Sequence, residues 1–349
     1  MTIKQNNFIL FWSSSLDGIT GQAIVSKRVF DKINSNNWIK LTYPSGVRFI
    51  YVYAINIVRL YYFVFAGKIK TAYIVPSRSL FGFIRDIPVL LISLFGVRTI
   101  LHIHGDGLNE LFQKKYIGYL ASFLYTRSEI IIPCKHLAVF PIRPKNIFIV
   151  ENYSTIPKHY NPKSFYSDEV KILWSSNVMA TKGVNILVDG LLCALKYKIN
   201  FKLTIMGKPL ADSLMNQLEI DSYSDYLKEE TWINYLGAIS PNKVPNIMRE
   251  HDIVALLSIN ECQPMVIIEA MCCGLKLIVS DVPGIRNTIG DYPAYFVKRN
   301  KDSVSKAFLH ACRDLPVDES FRRDAIKRFS SSRFDNQMKE ILYLNQQSF

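Results

Sequence analysis

The stretch SINECQPMVIIEAMCCGLKLIVSD, residues 258–281, decides the fold. It follows the apolar run DIVALLS (252–258), passes through a helix-like segment that ends at Gly274, and finishes in the β-rich run LKLIVSD (275–281). A strand, a helix and a second strand in this order predict a parallel strand pair with a right-handed crossover. The segment also carries two carboxylates, Glu261 and Glu269, eight positions apart.

Short apolar runs continue this alternation on both sides of the stretch. The runs fall at 8–12, 39–43, 72–75, 99–104, 129–133 and 146–150, and then at 170–176, 201–207, 232–237, 252–258, 275–281 and 294–297. The polar stretch STIPKHYNPKSFYSDE (154–169) separates the two series. The pattern predicts an α/β fold of two Rossmann-like, doubly wound domains that face a cleft. The expected domains are residues 1–160 and 161–330, and a C-terminal helix in 331–349 is expected to pack back toward the N-terminal domain.

Composition places the chain among ordinary globular proteins. Of the 349 residues, 49% are hydrophobic and 20% are charged, which excludes a largely disordered or fibrous chain. The six cysteines form no C-x-x-C pair, so neither a disulfide framework nor a zinc site is expected. The first apolar run is too short for a signal-peptide core of roughly 7–15 residues, which predicts a cytoplasmic protein.

Nearly all of the formal net charge of +13 lies in the first half of the chain. Residues 1–160 hold 19 Lys or Arg against 7 Asp or Glu, whereas residues 161–349 hold 23 against 22. Basic residues alternate there with aromatic ones, as in FIYVYAINIVRLYYFVFA (49–66), and this mixture favours an anionic membrane surface over nucleic acid. Segment 49–66 fits a buried helix, an interfacial helix or a membrane span, and Arg59 disfavours the span at a cost of roughly 2.5–3.5 kcal/mol.

The spacing of Glu261 and Glu269, between a strand and a glycine-terminated helix, resembles the E-x7-E signature of family-four retaining glycosyltransferases, which have the GT-B fold. The resemblance implies that Glu261 contacts the hydroxyls of the donor sugar and that Glu269 contacts the ribose. A helix N-terminus formed by Gln263, Pro264, Met265 and Val266 would then face the diphosphate, because free N–H groups and the helix dipole favour an anion. The alternative is a loop carboxylate and a surface glutamate without a role in binding.

A second similarity covers ILWSSNVMATKGVNILVDGL (172–191), which resembles the first strand and helix of the nucleotide-binding domain in the same family. It implies that Lys182 and Gly183 contact the donor phosphates. The alternative is a helix entry with a solvated lysine. The chain departs from the family where many members have Gly-Arg, because it has Ser176 and Asn177, so one of two expected phosphate cations is missing.

In the first half, LHIHGDG (101–107) resembles the His-Gly loop of the family. There His104 is expected to hydrogen-bond the transferring sugar or its leaving oxygen, and His102 on the same strand face is expected to be structural. Gly18, in the turn after the first strand, resembles the glycine that lets a substrate approach the backbone. We interpret Arg85 and Asp86 as an ordinary surface ion pair.

The chain contains no D-x-D motif, so we expect neither a metal ion nor another cofactor. The resemblance implies a glycosyltransferase that takes a UDP- or GDP-linked sugar and passes it to a lipid-linked glycan. The basic first half then favours a peripheral place at the inner face of a bacterial membrane, in O-antigen or capsule synthesis, with no nucleic-acid partner. Two alternatives remain: a catalytically degenerate glycan- or lipid-binding protein, and a nucleotide-sugar epimerase.

Overall fold

The computed structural model describes residues 8–14, 16, 20–33, 38–43, 48–77, 79–105, 107–156 and 169–344. The chain divides into two units, one formed by residues 1–152 and 332–349 and the other by residues 153–331. Each unit has its own parallel sheet and its own core.

In the first unit, strands and helices alternate from the start of the chain. The elements are β1 Phe8–Ser14, α1 Gly21–Ile33, β2 Trp38–Tyr43, α2 Phe49–Phe65, β3 Ile69–Ile74, α3 Leu80–Leu90, β4 Arg98–His102, α4 Leu108–Phe112, α5 Lys115–Tyr125, β5 Glu129–Ile132 and β6 Ile147–Ile149. Short 3-10 helices lie at Leu91–Phe95 and Lys135–Ala138. The sheet has the order β2-β1-β3-β4-β5-β6, and all of its pairs are parallel.

The second unit repeats the plan. Its elements are β7 Val170–Ser175, α6 Val184–Ala194, β8 Phe201–Met206, α7 Gln217–Glu229, β9 Ile233–Gly237, α8 Val244–Met248, β10 Ile253–Leu256, α9 Met265–Cys273, β11 Lys276–Ser280, α10 Pro283–Ile289, β12 Tyr295–Val297, α11 Lys301–Arg313 and α12 Glu319–Arg328. A 3-10 helix lies at Leu195–Tyr197. The order β12-β11-β10-β7-β8-β9 is the strand order of dinucleotide-binding domains.

Helix α13, Ser331–Tyr343, follows the second unit along the chain and packs on the first. Arg28 on α1 donates two hydrogen bonds of 2.7 Å to the carboxylate of Asp335 on α13. The Tyr343 hydroxyl donates to the carbonyl oxygen of Ile33 at 3.0 Å. The last helix therefore belongs to the first unit.

The apolar runs form strands because their β-branched and aromatic side chains are buried on both faces of a sheet that helices cover. Trp12 and Trp174, in the first strand of each unit, are fully buried. The prediction of an α/β fold with two Rossmann-like, doubly wound sheets is confirmed.

Segment 49–66 forms α2, whose buried side chains are Asn56, Leu60 and Val64. Its opposite side exposes Tyr51, Tyr62 and other large apolar groups, so α2 is not a plain buried helix. Within the described part of the chain, no helix has both the length and the apolar character needed to cross a membrane.

Candidate functional site

The strand order of the second unit reverses between β7 and β10, which are neighbours in the sheet. In open parallel sheets, the loops that leave such neighbouring strands run in opposite directions and open a crevice at the carboxyl edge. The loop from β7 to α6 and the loop from β10 to α9 start at this point. They carry Lys182 and Glu261, respectively.

The structure brings these two side chains together. Lys182 Nζ lies 2.6 Å from Glu261 Oε1, and the Ser258 hydroxyl donates to the same oxygen at 2.7 Å. Ser258 is held in turn, because the Ser280 hydroxyl donates to its carbonyl oxygen at 2.6 Å. The side chains of Lys182 and Glu261 are 29% and 13% exposed, so a ligand in the crevice can still reach them. Glu261 Oε2 accepts no hydrogen bond from the described residues.

Gly183 lets the two loops approach closely. Its φ of +86° lies in the left-handed region, and a Cβ at this position would lie 2.5 Å from the Leu257 carbonyl oxygen. The Ile259 N–H donates to the Thr181 carbonyl oxygen at 2.9 Å, which joins the loops directly. Lys182 therefore contributes a charge, and Gly183 contributes the backbone conformation that lets the two loops approach.

Helix α9 begins beside Glu261. Pro264 occupies its N-cap position in an extended conformation, and no side chain caps the helix. Met265 and Val266 are half-buried in its first turn, and Gln263 is 6% exposed. The first turn of a helix presents N–H groups and partial positive charge, a combination suited to an anion.

Glu269 lies one turn further along α9 and is 8% exposed. The Thr155 hydroxyl donates to its Oε1 at 2.5 Å. Burial raises the pKa of Glu269 to about 7, and the Thr155 hydrogen bond opposes this rise. Glu269 is therefore a carboxyl group near the midpoint of its titration at neutral pH, not a surface glutamate.

Two residues that support this site were not predicted from the sequence. Arg299, after β12, donates to the carbonyl oxygens of Leu257 and Ala180 at 2.6 and 2.8 Å and so braces both loops. Asp212 accepts from the Thr181 N–H and hydroxyl at 2.6 and 2.7 Å. Both side chains contact residues that are distant along the chain, so no local sequence signal points to them.

Ser176 and Asn177, at the positions where the resembled family often has Gly-Arg, accept hydrogen bonds from other residues of the chain. The Ser176 carbonyl oxygen accepts from Trp174 Nε1 at 2.9 Å, and Asn177 Oδ1 accepts from the Lys208 N–H at 3.4 Å.

Among the described residues, no group of three or more His, Cys, Asp and Glu side chains is placed to hold a metal ion.

The histidines lie in the first unit. His102 ends β4 and is fully buried, and its Nδ1 lies 2.6 Å from the Tyr73 hydroxyl. Burial, and secondly the neighbouring His104, lower the pKa of His102 well below the usual value. The two imidazole centres are 4.0 Å apart, and His104 is half-buried just beyond the strand. Gly18 lies outside the described residues.

The interpretation of Arg85 and Asp86 as a surface ion pair is wrong. Asp86 is only 1% exposed and accepts hydrogen bonds from Trp12 Nε1, the Ser77 N–H and Arg85. An ion pair between neighbouring residues of a helix usually faces solvent. Here Trp12 on β1 and Ser77 after β3 approach the Asp86 carboxylate from two separate segments. Asp86 is thus buried in the first unit, and Arg85 is half-buried beside it.

Residues 156–328 match the sequence model of the family described as "Glycosyl transferases group 1". No curated protein matches the sequence significantly. Among solved structures, a glycosyltransferase from Rickettsia africae is 16% identical with a TM-score of 0.73, and the alignment covers 98% of this chain and 99% of that one. Anabaena HepE in complex with UDP and glucose is 16% identical with a TM-score of 0.71, over 96% and 98%. Sucrose-phosphate synthase from Thermosynechococcus elongatus is 12% identical with a TM-score of 0.71, over 96% and 98%.

These observations define the class of the protein. The structural neighbours share the whole two-sheet architecture, which is the GT-B fold. Residues 156–328 match the model of group 1 glycosyltransferases, and this match supports a glycosyltransferase.

Proposed function

We propose that the chain is a retaining glycosyltransferase that moves a sugar from a UDP- or GDP-linked donor to a lipid-linked glycan in the synthesis of a bacterial surface polysaccharide such as O-antigen or capsule. The observation that carries the donor half of this proposal is the Lys182–Glu261 pair of 2.6 Å at the strand-order reversal of the second unit. HepE, which shares the fold, is recorded with UDP-glucose, and this supports a nucleotide-sugar donor.

The roles of the side chains follow from their chemistry. Lys182, with Gly183 behind it and the first turn of α9 beside it, supplies positive charge and N–H groups for a diphosphate. Lys182 holds Oε1 of Glu261, and Glu261 offers Oε2 to sugar hydroxyls. Glu269 lies further along α9. Its Oε1 accepts from Thr155, and its second oxygen is offered to a ribose hydroxyl.

His104 is proposed to hydrogen-bond the transferring sugar from the first unit. An imidazole can donate or accept a proton near neutral pH, which suits a group close to a leaving oxygen. Charge on that oxygen would be balanced by Lys182 and the helix terminus, and we therefore propose transfer without a bound metal ion or other cofactor.

The lipid-linked acceptor is supported by an aromatic face on the first unit. We define the aromatic face as eight of the exposed apolar and aromatic side chains of α2, α3 and the following 3-10 helix: Ile50, Tyr51, Val58, Tyr62, Phe65, Phe81, Ile84 and Phe95. Phe65 and Phe95 contact each other with ring centres 5.3 Å apart, so these helices form one surface. Arg48, Arg59 and Lys68 are exposed on or next to α2. Apolar rings with basic groups around them suit the interface of an anionic membrane, so we propose a peripheral, cytoplasmic location.

Product analysis tests the proposal as a whole. The purified protein is incubated with UDP- and GDP-sugars and a bacterial lipid extract, and the products are examined by mass spectrometry and by the anomeric coupling constant. The expected product is a glycosylated lipid with the donor's anomeric configuration, formed equally with and without EDTA. An isomerised nucleotide sugar without acceptor would instead identify an epimerase, and failure to bind any nucleotide would identify a degenerate binding protein.

Vesicle sedimentation tests the membrane part separately. We expect the protein to sediment with vesicles that contain anionic lipid at low salt and to remain in solution with neutral vesicles. The double variant Tyr62→Ser/Phe65→Ser should lose this binding, because each exposed ring contributes apolar burial at the interface. The control Leu218→Ser removes an equally exposed side chain from the second unit. Equal sedimentation of all three proteins would refute the aromatic face as the anchor.

A further inference from the structure

The second unit begins with a short segment, residues 153–156, that is anchored on both sides of Thr155. The Ser154 N–H donates to the carbonyl oxygen of Phe329, at the end of α12, at 2.9 Å. The Ile156 N–H donates to the Ser154 hydroxyl at 3.0 Å, and the Ile156 side chain packs in the apolar core that contains α9. Thr155 lies between these two anchored residues, so its half-buried side chain has a defined place beside α9.

The Thr155 hydroxyl orients the carboxyl group of Glu269. It donates to Oε1 at 2.5 Å, and Oε2 accepts no hydrogen bond from the described residues. A donor that is bound to one oxygen restricts the rotation of the carboxyl plane, and the other oxygen remains as the acceptor for a ligand. Thr155 therefore determines which oxygen of Glu269 a bound molecule can use.

The same hydrogen bond favours the charged form of Glu269. Burial, the larger effect, raises the pKa of Glu269 to about 7, and the Thr155 hydrogen bond acts in the opposite direction. A hydroxyl donates more strongly to a carboxylate than to a neutral carboxyl group, so it stabilises the ion. Near neutral pH, where both forms of the Glu269 side chain are populated, Thr155 shifts the balance toward the carboxylate.

The titratable neighbours of Glu269 do not replace this effect. Cys272 and Cys273 lie on the same helix, and burial raises the pKa of both thiols to about 12, so they are neutral at pH 7. Three further groups from other elements face these thiols: Arg249 at the end of α8, Tyr292 after α10 and Arg322 on α12. Arg322 is also engaged by the Cys272 carbonyl oxygen and by Glu319.

We propose that Thr155 is a positioning residue for donor recognition, because its hydroxyl orients the Glu269 carboxylate so that Oε2 accepts from a ribose hydroxyl of the nucleotide sugar. The inference rests on the proposed function and adds a residue that acts through Glu269. A hydrogen bond to a charged acceptor is about twice as strong as one to a neutral acceptor. Loss of the Thr155 hydroxyl should therefore weaken the donor most at pH values where Glu269 is partly protonated.

Isothermal titration calorimetry of the full chain with UDP-glucose and GDP-glucose, between pH 5.5 and pH 8.5, tests the proposal. We expect the wild type to bind one of them with an affinity that falls as the pH drops through about 7. Thr155→Val keeps the shape of the side chain, and it should bind about tenfold more weakly at pH 7 with its profile moved to higher pH. Thr155→Ser keeps the hydroxyl and should restore both properties. The control Thr231→Val, at an exposed position of the same unit, should match the wild type.

A double-mutant cycle separates positioning from a general structural role. In Glu269→Gln the side chain no longer titrates, so the affinity should lose its pH dependence in this range. Adding Thr155→Val to this variant should cause a smaller further loss than it causes in the wild type, since the two residues act as one unit. A general structural role of Thr155 would instead weaken binding equally in both backgrounds and leave the pH profile where it is.

Other results overturn the inference. Unchanged affinity and pH profile in Thr155→Val, equal losses in both backgrounds, or failure of Thr155→Ser to restore binding would each refute the positioning role. If the wild type binds a donor and Thr155→Val binds it equally well, only this inference fails and the donor site stands. If the wild type binds neither nucleotide sugar at any pH, the proposed donor recognition fails and the role of Thr155 fails with it.

Discussion

Glu269 illustrates how a single residue can look ordinary in sequence and unusual in the fold. Its helix packs between the apolar residues of the second unit, and the carboxyl group has one described hydrogen-bond donor, Thr155. Because burial penalises the charged form, the pKa rises from the ordinary 4.5 to about 7. A donor whose ribose hydroxyls hydrogen-bond the carboxylate would oppose this rise, which links ionisation to binding.

The first prediction concerns the pH dependence of stability. Between pH 4.5 and about 7 the folded protein binds up to one more proton at Glu269 than the unfolded chain does, so this group lowers the free energy of unfolding as pH rises through that window. Glu269→Gln should match the wild type near pH 4.5 and exceed its stability at pH 8 by up to about 3 kcal/mol. Denaturant titrations across this pH range measure the difference. The control Glu229→Gln, at an exposed position, should show no such trend, and a pH-independent difference for Glu269→Gln would contradict the prediction.

The second prediction concerns Gly183. Alanine there must adopt a left-handed conformation and place its Cβ 2.5 Å from the Leu257 carbonyl oxygen. Gly237 has a similar φ of +65°, and a Cβ added there would have no neighbouring atom within 4 Å, so Gly237→Ala isolates the conformational cost of about 1–2 kcal/mol. Gly183→Ala should destabilise the second unit by a further 1–3 kcal/mol, approximately, and weaken donor binding. Equal unfolding transitions for the two variants would show that the close approach of the loops is not required.

At the scale of elements, the strands were accessible from sequence because runs such as FILFW and LKLIVSD combine β-branched and aromatic residues with sharp polar boundaries. The order of the strands within each sheet was not accessible, since nothing in a single run indicates which strand lies beside it. For this reason the Lys-Gly and E-x7-E segments could be identified as candidates, but their meeting at the neighbouring strands β7 and β10 required the structure. The contacts of Arg299 and Thr155 were missed for the same reason.

Helix α2 shows a different limit. Apart from Asn56 and Arg59, its sequence is apolar or aromatic on all sides, so periodicity could not separate a buried helix from an interfacial one. The structure leaves Tyr51, Val58 and Tyr62 exposed while Leu60 is buried.

The third prediction concerns helix α13. Its Asp335 receives two hydrogen bonds from Arg28, and both side chains are about one-fifth exposed. A bidentate, partly shielded pair is stronger than a surface pair, so Asp335→Asn should lower the free energy of unfolding of the first unit by about 1–2 kcal/mol. Glu340→Gln on the same helix lacks a described partner and should change it by less than about 0.5 kcal/mol. Hydrogen exchange of α1 and α13 would report the loss, and equal protection in both variants would exclude a role for the ion pair.

At the scale of the molecule, each unit has a parallel sheet whose strand order reverses once, and each reversal is lined by polar groups. The second unit provides a cation, a carboxylate and a helix N-terminus. The first provides the guanidinium of Arg85, the amide of Gln22 and the carboxylate of Glu110. We propose that the reversal in the second unit takes the charged donor.

Donor recognition at Lys182 and Glu261 is the central step of the proposed function. The decisive measurement is the thermal unfolding of the purified chain with UDP-, GDP-, ADP- and CMP-linked sugars, for the wild type, Lys182→Ala, Glu261→Ala and the exposed control Lys306→Ala. We predict that one class of donor raises the melting temperature of the wild type and the control, since a ligand at about 100 times its Kd stabilises the folded state by about 2.7 kcal/mol. The rise should disappear in Lys182→Ala and Glu261→Ala. No shift with any donor, or an equal shift in all four proteins, would contradict the assignment of this site.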